Sequence, residues 1–160
     1  MTEHEMGLLH NFSKYEKDIF GRQVFQAYGE IKFTLMQKMD LAISLAKQTY
    51  GEEQGAFIVH DINNGEHNTN SLHYIGEAID GHFRGLTLYQ TALLLFKSRF
   101  GGIGLYPDWK HKGIHADIRD QEHVSTWVQH KEQYIYDWEF FDEQLSLEIE
   151  CEQYNGGKYN

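Results

Sequence analysis

The sequence predicts an α+β domain in which a small antiparallel sheet is flanked by helices. Three observations lead to this class: two apolar stretches at helical spacing, short β-prone runs between turn-forming residues, and the order helix, strand, loop, helix, strands. Leu35, Met39, Ala42, Leu45 and Ala46 recur on one helical face, and Gly51 follows as a stop. Residues 56–59, Ala-Phe-Ile-Val, read as a short strand entering a loop over 61–68 that is dense in Asn, Asp and Gly. A second helix is expected over 86–100, with Leu88, Ala92, Leu95 and Phe96 inward and Gly101-Gly102 at its end. Residues 103–106 and 113–119 read as paired strands around a loop that carries the only proline, Pro107. A helical turn is expected over 124–129. The opening 29 residues are expected to be irregular with one short helix. The aromatic, acidic tail from Tyr134 is expected to pack as a strand or helix and to fray at Gly156-Gly157. No repeat, linker or low-complexity tract divides residues 1–160, so one domain is expected.

Composition narrows the function. With 41% hydrophobic and 24% charged residues, the 160-residue chain can bury a sizeable core and is not a disordered tail. A formal charge of -10 disfavours nonspecific attachment to nucleic acid or to an anionic membrane, which both need a basic surface. The longest apolar run, Ala92 to Phe96, is far too short to span a bilayer. The N-terminal residues lack a basic stretch followed by an apolar one, so no signal peptide is expected. A single cysteine, Cys151, excludes an internal disulfide framework and a cysteine-based zinc finger. Ten histidines stand against the roughly three or four of ordinary composition, so a metal would be held by His, Asp or Glu.

Two segments concentrate ligating side chains. In Ser71-Leu72-His73-Tyr74-Ile75-Gly76-Glu77-Ala78-Ile79-Asp80, small residues separate His73 from Asp80 and allow a tight backbone fold that brings imidazole and carboxylate together. In Gly113-Ile114-His115-Ala116-Asp117-Ile118-Arg119, strand alternation places His115, Asp117 and Arg119 on one face and Ile114, Ala116 and Ile118 on the other. Each segment alone also suits an ordinary polar surface. Together, two His and one Asp around Zn²⁺ leave a fourth position for water, the layout of a catalytic zinc site, in which the pKa of the water falls to about 7.

Ser71-x-His73-x-x-Gly76-x-Ala78-x-Asp80, then Gly102-Ile103-Gly104-Leu105-Tyr106-Pro107, then Ile114-His115-x-Asp117-x-Arg119 resembles the D-Ala-D-Ala carboxypeptidase family of zinc peptidases. That family includes the L-alanyl-D-glutamate endopeptidases of phage endolysins and has a fold related to the hedgehog signalling domain. The resemblance covers about residues 35–127 and lies nearest the branch with a His-x-Asp strand. It implies a hedgehog-like fold, a zinc ion held by His73, Asp80 and His115, and hydrolysis of a peptide bond in the stem or cross-link peptides of peptidoglycan. Ser71 would brace the first motif. For the general base, the acid found in several relatives three positions before the last ligand is Lys112 here, so Asp117 is expected in that role, with Asp108 the second choice. Arg119 would pair with Asp117 or face the oxyanion, the pairing being the stronger expectation. Where many relatives have an arginine after the first strand, this chain has His60 and Asp61, which favours endopeptidase over carboxypeptidase cleavage.

Other conspicuous residues have an ordinary reading. His60, His67, His82 and His111 are expected to be polar residues without a ligand role, and Glu77 a solvated carboxylate. Tyr106 suits core packing as well as a cleft wall. Tyr134, Tyr136, Trp138, Phe140 and Phe141 are expected to pack rather than to form a glycan platform. A catalytically inactive zinc-binding module of the same fold, acting as a virion or interaction component, is the alternative function. An acidic interaction protein without metal is a weaker third. The absence of a leader fits a cytoplasmic protein, or a phage or prophage enzyme delivered separately to the cell wall.

Overall fold

A computed structural model of the chain describes residues 1–25, 30–63, 67 and 69–154, with side chains through residue 147. The side chain of Cys151, the Gly156-Gly157 segment and part of the 61–68 loop lie outside the described residues.

The chain is α+β. Its elements run α1 (Glu3–Met6), α2 (Phe33–Tyr50), β1 (Phe57–Asp61), a 3₁₀ turn (Leu72–Ile75), β2 (Ala78–Phe83) and α3 (Leu88–Lys97). They continue with β3 (Gly102–Tyr106), β4 (Gly113–Asp117), β5 (Ser125–His130), β6 (Gln133–Ile135) and α4 (Trp138–Tyr154). Helices α2 and α3 fall where the apolar periodicity placed them, and the aromatic tail, expected as a strand or helix, forms α4. Gly51 closes α2 at φ 102°, and Thr87 opens α3 with a capping box shared with Gln90.

The six strands form one sheet in the order β1-β2-β4-β3-β5-β6. All neighbours are antiparallel except β3 and β5, so the sheet is mixed and larger than the small antiparallel one expected. The difference comes from residues 124–129. They form strand β5 and not a helical turn, because Trp127 and Val128 point to opposite faces of a sheet that buries both. Ile118 follows β4 in an irregular segment, so the second strand of the expected pair ends two residues early, at Asp117.

Strand alternation divides the sheet into two unlike faces. Ile79, Ile103, Leu105, Ile114, Ala116 and Val128 join Leu35, Met39, Ala42, Leu95 and Phe141 of the helices in a single core. This is the apolar half of each strand pattern, and its burial holds the helices to the sheet. Asp80, His82, His115, Asp117 and Trp127 occupy the alternate positions and stand on the opposite, polar face. Of the aromatic tail, Phe141 is fully buried in the core, whereas Tyr136 is 71% exposed. Among the described residues, no helix is long and apolar enough to cross a membrane.

Candidate metal centre

The centre is built on adjacent rows of the sheet. Asp80 of β2 pairs in register with His115 of β4, His115 with Gly104 of β3, and Gly104 with Trp127 of β5. In the next row, Ala78, Asp117, Gly102 and Ser125 align in the same way. This explains the Gly-x-Gly spacing of β3 by space rather than by backbone freedom. A Cβ on Gly102 would lie 2.4 Å from an Asp117 carboxylate oxygen, and one on Gly104 would lie 2.5 Å from the Trp127 indole. The glycines let two large polar-face side chains lie flat over β3.

His73 comes from the 3₁₀ turn. Ser71 caps it, its hydroxyl accepting the His73 backbone N–H at 3.3 Å, so this serine braces the motif as expected. Gly76 ends the turn in the left-handed region at φ 67°, and a Cβ there would lie 2.0 Å from the Glu30 carbonyl oxygen. Glycine at this position lets the chain reverse into β2 and brings His73 over Asp80.

The three donor atoms converge. His73 Nε2 is 3.2 Å from His115 Nδ1 and 3.3 Å from Asp80 Oδ1, and His115 Nδ1 is 2.9 Å from the same carboxylate oxygen. All three residues are at least nine-tenths buried. The tautomers follow from the outer partners. His73 Nδ1 lies 2.5 Å from the Ile62 carbonyl oxygen, which only accepts, so Nδ1–H donates there and Nε2 presents a lone pair to the centre. His115 Nε2 lies 3.1 Å from Asp117 Oδ2 and donates in the same way.

One carboxylate oxygen and two imidazole nitrogens thus face one point that calls for positive charge. In the metal-free chain a second proton on His115 supplies it. Burial opposes that proton, but the carboxylates of Asp117 and Asp80 outweigh burial and push the His115 pKa up to about 9. Burial likewise works against the charged form of Asp80, yet the hydrogen bonds from His115 and His73 hold its carboxyl well below the usual range. The donor set fits a divalent metal ion, which these buried His and Asp groups can bind.

A pH dependence follows. A raised pKa means that His115 keeps its extra proton at neutral pH and loses it as pH rises through about 9, so metal must displace that proton below this value. Affinity is expected to rise about tenfold per pH unit between pH 7 and 9. Calorimetry at pH 7.5 in two buffers of different ionisation enthalpy should register about one proton released per metal ion. Release of none would contradict the assignment of the proton.

The three other residues singled out in the sequence are placed differently. Asp117 shares the face of His115, as the strand alternation predicts, but it is fully buried and lies across the imidazole ring from the donor triangle. Its oxygens accept from Arg119 Nε at 2.8 Å and Nη2 at 2.6 Å, from the Arg119 backbone N–H at 3.1 Å, and from His115 Nε2. Burial opposes its charge, and His115 and Arg119 overcome that to lower its pKa to about 2. Asp117 therefore orients a ligand and is not placed to act as general base. Asp108, the second choice, is half exposed and accepts the Lys131 backbone N–H at 2.9 Å, with His130 Nδ1 at 3.0 Å. It ties the β5–β6 turn to the loop after β3 and does not line the cleft. Arg119 makes the expected pair with Asp117, stacks over Trp127 at 5.1 Å, and borders the cleft.

The centre opens onto a cleft of about 690 Å³ walled by His67, Asn70, Trp109, Trp127, Tyr134 and Tyr136. Tyr106 is both buried and a cleft residue, stacked on Trp109 with ring centroids 4.1 Å apart. His67, read in the sequence as an ordinary polar residue, belongs to the site. Its ring is parallel to His73 at 3.9 Å between centroids, and its Nε2 is 2.8 Å from Asp61 Oδ2. A carboxylate oxygen only accepts, so His67 Nε2–H donates to Asp61 and the pair fixes the ring. No periodic pattern marks His67, because it lies in a loop and reaches the centre only through the fold. His60, His82 and His111 gather on the same face beyond Asp80. Burial, then the neighbouring rings, push His82 down to about 4, and burial lowers His60 as well. Comparisons of the chain with protein-family models, with curated proteins and with solved structures give no match.

Proposed function

We propose that the chain is a zinc metallopeptidase that hydrolyses a peptide bond in the stem or cross-link peptides of bacterial peptidoglycan, on a hedgehog-like fold of the D-Ala-D-Ala carboxypeptidase kind. The observation that carries this reading is the triangle of donor atoms 2.9 to 3.3 Å apart at the floor of an open cleft. Metal–ligand bonds of about 2.0–2.1 Å in tetrahedral array put neighbouring ligand atoms about 3.3 Å apart, so the spacing suits zinc. Two imidazoles and one carboxylate would hold the zinc with one ligand position to spare for water. The three sequence motifs that resemble the zinc peptidases are the same ones that build the triangle and its glycine-lined floor.

Zinc bound there would supply a Lewis acid and a water of lowered pKa. The chain's own groups do the rest. Asp61 fixes the ring of His67, which lines the cleft beside His73, so that His67 can take a proton from the attacking water and return it to the leaving amine. Asp117 and Arg119 keep His115 from rotating. Trp127, Tyr134 and Tyr136 form an apolar wall for an extended peptide. His60 and Asp61 occupy the place of a substrate-binding arginine, which favours cleavage within a peptide over removal of a terminal residue.

The test is digestion of purified peptidoglycan followed by mass spectrometry of the fragments. The zinc-loaded chain is expected to create new internal amino termini. His67→Ala is expected to lower kcat by about 10²- to 10⁴-fold with zinc content unchanged. Release of terminal D-Ala alone would overturn the endopeptidase assignment.

One observation favours the alternative, a zinc-binding module without catalysis: among the described residues lining the cleft, Asp80 is the only carboxylate, and it belongs to the donor set. That reading prevails if zinc binds tightly while wild-type chain and His115→Ala leave peptidoglycan equally intact.

A further inference from the structure

We propose that His60, His82 and His111 form a second metal site, selective for an ion that takes nitrogen ligands at right angles, such as Cu²⁺ or Ni²⁺. None of the three belongs to the donor triangle, and the proposal does not depend on the peptidase reading.

The site arises from an irregularity in the sheet. The β1–β2 register shifts between Val59 and Asp61, and His60 falls in that shift. There it turns onto the polar face beside His82. His60 Nε2 and His82 Nδ1 lie 2.7 Å apart. Trp109 stacks on His60 at 5.3 Å and His111 stacks on His82 at 5.2 Å, so both rings are held on their outer faces. His111 is exposed on the loop between β3 and β4 with its ring stacked on His82, so it would join the pair as a third imidazole only by turning off that ring.

The nitrogen spacing discriminates between ions. With bonds of about 2.0 Å, ligands at right angles sit about 2.8 Å apart and tetrahedral ligands about 3.3 Å apart. The His60–His82 pair, at 2.7 Å, matches the first, whereas two of the three edges of the donor triangle, at 3.2 and 3.3 Å, suit the second and only the third, at 2.9 Å, is short. Square-planar nitrogen sites favour Cu²⁺ and Ni²⁺, and Cu²⁺ stands highest among the divalent ions in affinity. Of the nearby cationic groups, Arg22 is already paired with Asp18 at 2.5 Å.

The location connects the two sites. Asp80 and Trp109 border both the main cleft and an adjoining groove that includes Phe20, Arg22, His60 and His111. An ion on the histidine pair would stand at one end of the cleft, beside a ligand of the first centre.

The experiment loads the full chain with one equivalent of Zn²⁺, then titrates it with Cu²⁺ while following visible absorption and the electron paramagnetic resonance spectrum. One further equivalent is expected, with nitrogen hyperfine structure and the zinc retained. His60→Gln and His82→Gln should each lower this affinity at least about 100-fold, and His111→Gln about tenfold, while the zinc content of each variant shows that it has folded. His115→Ala, which disables the first centre, should keep the copper signal. Displacement of zinc by copper one for one would overturn the proposal, as would an unchanged copper affinity in His60→Gln and His82→Gln. A simple N–H···N hydrogen bond between the two rings would give that last result.

Discussion

His115→Ala is expected to lower metal affinity by at least about a thousandfold, well beyond the 10- to 100-fold typical of losing an outer partner. The reason lies in the geometry: His115 supplies one corner of the triangle, and its loss leaves only His73 Nε2 and Asp80 Oδ1, 3.3 Å apart, of that donor set. The metal-free wild-type chain should also be less stable than the loaded one, because an ion that binds only the folded state adds stability in proportion to the logarithm of its concentration over Kd. That increment should vanish in His115→Ala. Thermal unfolding with and without one equivalent of Zn²⁺ checks both parts. An equal rise in Tm for variant and wild type would place the metal elsewhere.

Asp117→Ala is the second large effect, and here the expected loss is mainly of stability. Asp117 is fully buried, and its partners Arg119 and His115 are both cationic in the metal-free chain. Removing one member of such a buried pair strands the other, at a cost of about 3–5 kcal/mol. Metal affinity should fall about 10- to 100-fold, since His115 loses the acceptor that fixes its tautomer. Asp117→Asn, which keeps the volume and one acceptor oxygen, should lose less of both. Urea unfolding and zinc titration measure the two effects separately. A variant that folds with wild-type stability and wild-type zinc affinity, yet cleaves nothing, would return Asp117 to the role of general base.

The comparison of these two residues shows what the sequence could and could not say. Period-two alternation correctly put His115 and Asp117 on one face of β4, because strand geometry is local. It could not say that the imidazole would turn Nδ1 toward Asp80 and Nε2 toward Asp117, which depends on β2 lying on one side of β4 and β3 on the other. Helices α2 and α3 were legible for the same local reason, apolar residues at helical spacing, with Gly51 as the stop of α2. Helix α3 ends earlier than the expected Gly101-Gly102 stop, at Lys97 with Ser98 as its cap, and Gly102 opens β3. Strand β5 was not legible, since 124–129 is short, half buried, and held by a parallel pairing to β3 that no local pattern encodes. His67 was hidden by the same kind of non-local placement, a loop residue that reaches the centre by stacking on His73. The β1 irregularity that turns His60 toward His82 is likewise a property of pairing, not of residues 57–61 alone.

X-ray absorption at the zinc edge on the loaded chain addresses the centre most directly. One zinc per chain is predicted, with a first shell of nitrogen and oxygen only and outer scattering from two imidazoles, falling to one imidazole in His73→Ala and in His115→Ala alike. A sulfur ligand, or an imidazole count that stays at two in either variant, would contradict the account.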